Sequence, residues 1–212
     1  MSSKKVREIV FVVDDDESVR GSLKFLLESV GLESRTFPSA TEFLVAYDPG
    51  EPGCLVLDVR MPGMSGLELQ QQLNLRGAVI PVIFITGHGD IPMAVEAMQH
   101  GAHDFLQKPF RDQDLIERIQ QALAKDARAR TALTQHDSIR ARLATLTPRE
   151  REVLALIAQG KPNKIMAYEL KLSQRTIEIH RARVMQKSGA SSLAQLVRMV
   201  MDADPEIVKP ER

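Results

Sequence analysis

The chain has 212 residues, 28 basic against 28 acidic, 43% hydrophobic residues and a single cysteine. That hydrophobic content excludes a wholly disordered chain, and one cysteine, Cys54, excludes an internal disulfide framework or a paired-cysteine metal knuckle. The longest apolar runs, at 9–13 and 79–85, are too short to cross a bilayer, and Arg7 and Glu8 interrupt any signal-peptide core, so a soluble, cytoplasmic protein with no membrane partner is expected.

The zero net charge hides a division. Residues 1–125 carry 12 basic and 18 acidic side chains, a net −6, and residues 126–212 carry 16 and 10, a net +6. An acidic half followed by a basic half predicts two domains with different partners.

In chain order, Ile9–Val13, Glu33–Phe37, Leu55–Leu57, Val82–Ile85 and Asp104–Leu106 read as short strands. Between them run stretches with apolar residues at helical spacing: Val19, Leu23, Leu26, Leu27 and Val30, then Ala94, Val95 and Met98, then Leu115, Ile116 and Ile119. Strands alternating with helices predict a parallel sheet with right-handed crossovers. Asp15 or Asp16 is expected to cap the helix starting at Glu17. Ala122–Ala144 lacks Gly and Pro and has few apolar positions, so it reads as the last helix of the first domain running into a linker.

The second half reads as all helical. Thr147-Pro148-Arg149-Glu150 is a capping box with proline at the first helical position, and Gly160 ends that helix. Asn163 is expected to cap a short helix to Leu170. Ser173 is expected to cap a longer one ended by Gly189, and Ser192–Met201 is the last helix. A short helix, a brief turn and a longer basic helix form the helix-turn-helix pattern. Lys171 stands where such a turn often uses Gly, at a cost of about 1 kcal/mol if the backbone is left-handed. The polar tail after Asp202 is expected to fray.

The carboxyl ends of parallel strands share one edge, and ligands bind there. Asp14 and Asp15 follow the first strand, Asp58 the third, Thr86 the fourth and Lys108 the fifth. Clustered carboxylates repel unless a cation neutralises them, and a hard cation such as Mg²⁺ suits oxygen donors. A carboxylate nucleophile beside a cation, with a hydroxyl and an ammonium for phosphoryl oxygens, is what phosphoryl transfer to Asp requires.

The segments VVDDDE, LVLDVRMPGMSG, VIFITGHGD and FLQKPF resemble the receiver domain of two-component response regulators, over residues 8–124. Residues 143–203 resemble the LuxR-type helix-turn-helix domain, and the whole chain resembles regulators of the FixJ/NarL type, nearest to FixJ-like members. The resemblance implies a flavodoxin-like five-stranded parallel sheet of order 2-1-3-4-5 followed by an all-α domain, joined by a helical linker at 125–142 and followed by a tail at 204–212.

For the receiver, the resemblance implies that Asp58 accepts a phosphoryl group from a sensor histidine kinase. Asp14, Asp15, Asp58 and the backbone carbonyl of Arg60 would hold Mg²⁺ or Mn²⁺. Lys108 would pair with the phosphoryl group, Thr86 would move to hydrogen-bond it, and Phe105 would follow inward. The Lys108–Pro109 peptide would be cis. Arg60 and His88 would flank the phosphoryl site. The chain would then be no enzyme beyond its own phosphorylation and dephosphorylation. It would dimerise through residues 91–125, with a second contact from the last helix. It would bind double-stranded promoter DNA and meet RNA polymerase.

In the long basic helix, Gln174, Arg175, Glu178, Ile179, Ala182 and Arg183 are candidate base contacts: Arg reads guanine, Glu accepts from cytosine N4, and Ile or Ala touches a thymine methyl. Many family members carry Lys where Glu178 stands. Lys164, Arg181 and Lys187 are expected on phosphates, Thr176 on phosphate, base or only a local cap, and His180 beside the helix crossing. Two rival readings fit the residues less well. An aspartyl phosphohydrolase usually has a second Asp two residues beyond its nucleophile, where Arg60 stands. A receiver kept only for dimerisation would not need Asp15, Asp58, Thr86 and Lys108 together.

Overall fold

The structure is a computed structural model that describes residues 7–87, 91–204 and 207, with Ile91 and Pro92 as backbone only. It divides into two compact units, one ending at Arg130 and the other starting at Thr131.

In the first unit, strands β1 (Ile9–Val13), β2 (Glu33–Phe37), β3 (Gly53–Asp58), β4 (Val82–Thr86) and β5 (Asp104–Gln107) form one sheet. All pairings are parallel, in the order β2-β1-β3-β4-β5. Every residue of β1 and β4 is buried. This explains their unbroken apolar sequences: a parallel sheet covered on both faces leaves no solvated side to alternate toward. Successive side chains still point to opposite faces. Phe11, Val13, Leu55, Leu57 and Phe84 pack with Phe43 of α2 (Ala40–Ala46), Leu69 and Leu73 of α3 (Gly66–Leu75) and Ala97 of α4 (Ile91–Gln99). Val10, Val12, Cys54, Val56, Ile83 and Ile85 face Leu23 and Leu27 of α1 (Glu17–Ser29), and Leu115, Ile119 and Leu123 of α5 (Asp112–Ala144). Cys54 is thus sealed within β3.

Asp16 caps α1, accepting from the amides of Ser18 and Val19 at 2.8 and 3.4 Å. Val30, assigned from spacing to the apolar face of this helix, instead ends it and is exposed. Gly53 opens β3 because nothing larger fits: a Cβ there would lie 2.0 Å from the Ile9 carbonyl oxygen.

The second unit is built from the end of α5 and from α6 (Pro148–Ala158), α7 (Asn163–Glu169), α8 (Gln174–Ser188) and α9 (Leu193–Ala203). Its core gathers Leu143, Leu146, Val153, Leu154, Ile157, Met166, Ile177, Val184, Leu196 and Val200. The capping box of α6 is complete, with Glu150 N–H donating to the Thr147 hydroxyl and Thr147 N–H to the Glu150 carboxylate. Asn163 does not cap α7. Pro162 takes that position with no side-chain hydrogen bond, because its fixed φ already sets the chain for helix entry.

α6 and α7 end in the same motif. After α6, Gly160 has φ +74° and Lys161 N–H returns to the Leu156 carbonyl; after α7, Lys171 has φ +54° and Leu172 N–H returns to the Ala167 carbonyl. The left-handed residue is therefore Gly at one helix end and Lys at the other.

The stretch 125–142, expected to be a helical linker, is the later part of α5. Its first residues to Arg130 belong to the first unit, and Asp126 is buried there.

Candidate functional site

The carboxyl edge of the sheet brings three predicted side chains together. Lys108, just beyond β5, donates to Asp14 Oδ2 at 2.8 Å and to Asp58 Oδ1 at 2.9 Å. The other oxygen of Asp14 accepts the Asp16 amide at 2.9 Å, and that of Asp58 accepts the Arg60 amide at 2.8 Å. Thr86 is buried at the end of β4, and its carbonyl accepts the Lys108 amide at 2.7 Å. The Lys108–Pro109 peptide is cis.

One ammonium serves two carboxylates, and the electrostatics follow. Burial raises the Asp58 carboxyl above its usual range and Asp14 adds repulsion; the bonds from Lys108 offset only part of this. Burial pulls Lys108 down, but its hydrogen bonds to Asp14 and Asp58 prevail and hold it above the usual lysine value.

Asp15 remains exposed, and among the described residues no three acidic, histidine or cysteine side chains stand close enough to hold a metal ion. The convergence expected of Asp14, Asp15 and Asp58 is therefore partial, because Lys108 bridges two of them and relieves their repulsion. The donor set still fits a hard dication: carboxylate oxygens and backbone carbonyls, with more negative than positive charge and a carboxyl already strained by burial. Phe105 is half-buried against the α3–α4 side of the sheet. His88 lies outside the described residues.

Two local features support the site from its backbone. Arg20 of α1 donates to the backbone carbonyl of Asp14 at 2.8 Å, pinning the acidic loop through its main chain. Gly66, which opens α3, has no space for a side chain: a Cβ would lie 2.2 Å from the Asp58 carbonyl oxygen. Beside the site, α1 and the segment after Lys108 form a groove of about 720 Å³ lined by Ser18, Ser22, Phe25 and Phe110.

The second unit carries the other candidate surface. α8 buries Ile177, Val184 and Ser188 against its neighbours. Gln174, Arg175, Glu178, Ile179, Ala182 and Arg183 are all exposed, and so is Lys164 on α7. Arg181 and His180 are half-buried, and the His180 Nδ1 is enclosed with no hydrogen-bond partner among the described residues. The Thr176 hydroxyl shares a 2.8 Å hydrogen bond with that of Ser173 at the start of the helix. Lys187 is engaged elsewhere: it donates to Glu150 at 2.6 Å and to the Thr145 carbonyl at 3.2 Å. A buried carboxylate draws its ammonium inward, which the sequence spacing could not show.

Both units match known families. Residues 10–120 match the family described as response regulator receiver domain, and residues 144–200 match bacterial regulatory proteins of the luxR family. The chain is 50% identical to the transcriptional regulatory protein FixJ of Azorhizobium caulinodans, covering 91% of each chain. It is also 50% identical to nodulation protein W of Bradyrhizobium diazoefficiens, over 91% of this chain and 85% of that one. Among solved structures, the response regulator StyR is similar with a TM-score of 0.84 and 49% identity, over 92% of this chain and 98% of that one.

Proposed function

The chain belongs to the transcriptional response regulators that join a receiver domain to a LuxR-type DNA-binding domain, FixJ-like proteins among them, and from that premise we propose how its residues divide the work. Asp58 takes a phosphoryl group from a sensor histidine kinase: the phosphorus–nitrogen bond of the donor breaks as a bond to an Asp58 carboxylate oxygen forms. The observation that carries this reading is the Lys108 ammonium held between Asp14 and Asp58. Once Asp58 is phosphorylated, Lys108 faces the phosphoryl oxygens, Thr86 supplies a hydroxyl, and Arg20 keeps the Asp14 backbone in place.

Asp14, Asp15 and Asp58, with the Arg60 carbonyl, would hold Mg²⁺ or Mn²⁺, which when bound supplies charge neutralisation for the transfer. The groove beside Phe25, whose ring is 75% exposed, gives an apolar helix of the kinase a place to rest next to Lys108. These events belong to the cytoplasm, where kinase and promoter are both within reach. The chain catalyses nothing beyond its own phosphorylation and dephosphorylation.

Phosphorylation promotes dimerisation through the α4–β5 face, where Val95 and Met98 are about half exposed around a shallow apolar cavity reaching Phe105. Leu193 and Met201 on α9 offer a second apolar contact. The exposed face of α8 enters the major groove: Gln174, Arg175, Glu178, Ile179, Ala182 and Arg183 read bases, and Lys164 and Arg181 hold phosphates. Thr176 serves as a local cap, and RNA polymerase is the final partner.

The test is direct. The protein is incubated with acetyl phosphate and Mg²⁺, then assayed for modification by mass, for dimer mass, and for binding to a duplex selected in vitro from random sequence. One phosphoryl group on Asp58, with tighter binding that Asp58→Asn abolishes, is the expected result. No modification and unchanged binding would sink the proposal.

A further inference from the structure

The sheet edge opposite the acidic site carries a second buried polar cluster that the phosphoryl chemistry does not use. Asp126 on α5 is 1% exposed. Its Oδ2 accepts the Gly53 amide at 2.9 Å, from the first residue of β3, and Arg130 Nε at 2.7 Å. Arg130 then spends its remaining nitrogens on three successive backbone carbonyls: Pro49 at 2.8 Å, Gly50 at 3.1 Å and Glu51 at 2.7 Å. The Glu51 carboxylate is gripped in turn by Arg35 of β2, at 2.7 and 2.8 Å. A single polar chain therefore ties β2, the loop before β3 and α5.

Stability alone is a poor reason for this arrangement. Burying two charges costs desolvation, and a well-packed apolar contact holds a helix as firmly. The cluster is also incompletely satisfied, since Asp126 Oδ1 has no hydrogen-bond partner among the described residues. What a guanidinium fork on three carbonyls provides is register. An apolar helix face can slip along its neighbour, whereas this fork fits at one position only. Its place is telling: Arg130 is the last residue of the first compact unit.

We infer that Asp126 and Arg130 are positioning residues that fix the register of α5 where the receiver releases it, and that phosphorylation of Asp58 reaches the DNA-binding unit only while they do so. The inference rests on the function proposed above. α5 is the covalent route between the units. A helix held at one register passes a displacement onward, and one free to slip absorbs it.

The test uses the full chain as wild type, Arg130→Lys, and the double variant Asp126→Asn with Arg130→Met, which leaves no unpaired buried charge. Acetyl phosphate and Mg²⁺ should phosphorylate all three equally. Hydrogen exchange of the Gly50, Glu51 and Gly53 amides and of amides 127–130 should quicken at least tenfold in the double variant and less in Arg130→Lys. The gain in affinity for the selected duplex on phosphorylation should fall about tenfold in the double variant and in part for Arg130→Lys. Unaltered exchange would overturn the register role. Faster exchange with the full phosphorylation gain would overturn the relay. A wild type that takes up no phosphoryl group would defeat the phosphorylation reading and the relay with it, while the exchange arm still decides the register.

Discussion

Lys187, in the last turn of α8, donates to Glu150, in the first turn of α6, at 2.6 Å. Each charge sits at the helix end whose dipole favours it. The pair also crosses the DNA-binding unit, tying the proposed recognition helix to the helix that starts the core. Lys187, together with the amide of Thr147, holds the Glu150 carboxyl at about 2.

The acid limb of stability follows from that depression. The stabilisation is whole above the ordinary glutamate value of 4.5 and is lost as pH falls from there toward 2. Lys187→Met should lower stability by about 1.5–3 kcal/mol at neutral pH and flatten the acid dependence between those values. Thermal unfolding of the second unit from pH 7 to pH 2 reads both effects.

The paired helix ends make a second prediction. Lys171 holds φ +54°, a conformation that costs an L-residue roughly 1–2 kcal/mol, whereas Gly160 holds φ +74° without that cost. Lys171→Gly should stabilise the second unit by about 0.5–1 kcal/mol, since the unfolded chain regains some entropy. Gly160→Ala should destabilise it by about 1 kcal/mol. Urea midpoints of the full chain and both variants settle the signs.

At Gly66 the prediction concerns the phosphoacceptor strand. A methyl group there would press on the Asp58 carbonyl oxygen and on the Leu57 and Phe84 side chains. Gly66→Ala should cost about 1–3 kcal/mol, as overpacking does, and slow modification by acetyl phosphate because the end of β3 must shift. Serine there should fare no better.

Salt dependence separates lysines that hold phosphates from those that do not. Lys164 is exposed, so Lys164→Ala should reduce the slope of log affinity against log salt by about 0.9. Lys187 is committed to Glu150, so Lys187→Ala should leave that slope unaltered while lowering stability. Titrations of the selected duplex at several salt concentrations measure both.

Much of the fold was legible because its signals are local. β1 and β4 are continuous apolar runs, Thr147 to Glu150 spells out a helix start, and Lys171 stands at a left-handed turn position. The carboxylates, Thr86 and Lys108 were legible because parallel strands deliver their carboxyl ends to one edge. What escaped depends on distant partners. Asp126 and Arg130 look like solvated residues of a sparse helix until Gly53 and the carbonyls of 49–51 are placed beside them, more than seventy residues away. Lys187 looked like one more basic residue facing DNA until Glu150 was placed within reach. Asn163 lost the cap to Pro162 because a favourable residue type does not fix which residue turns first.

Cys54 has a practical consequence. It is fully enclosed in β3, and burial pushes its thiol far above the ordinary range, so at neutral pH it is neither ionised nor within reach of alkylating reagents. The natural chain thus serves as its own blank for site-directed labelling. A cysteine introduced at Gln99 on α4 and another at Arg183 on α8 would be the positions that take up a spin or fluorescent probe. Their separation could then be followed as a molecular ruler, before and after acetyl phosphate, with Cys54 left in place.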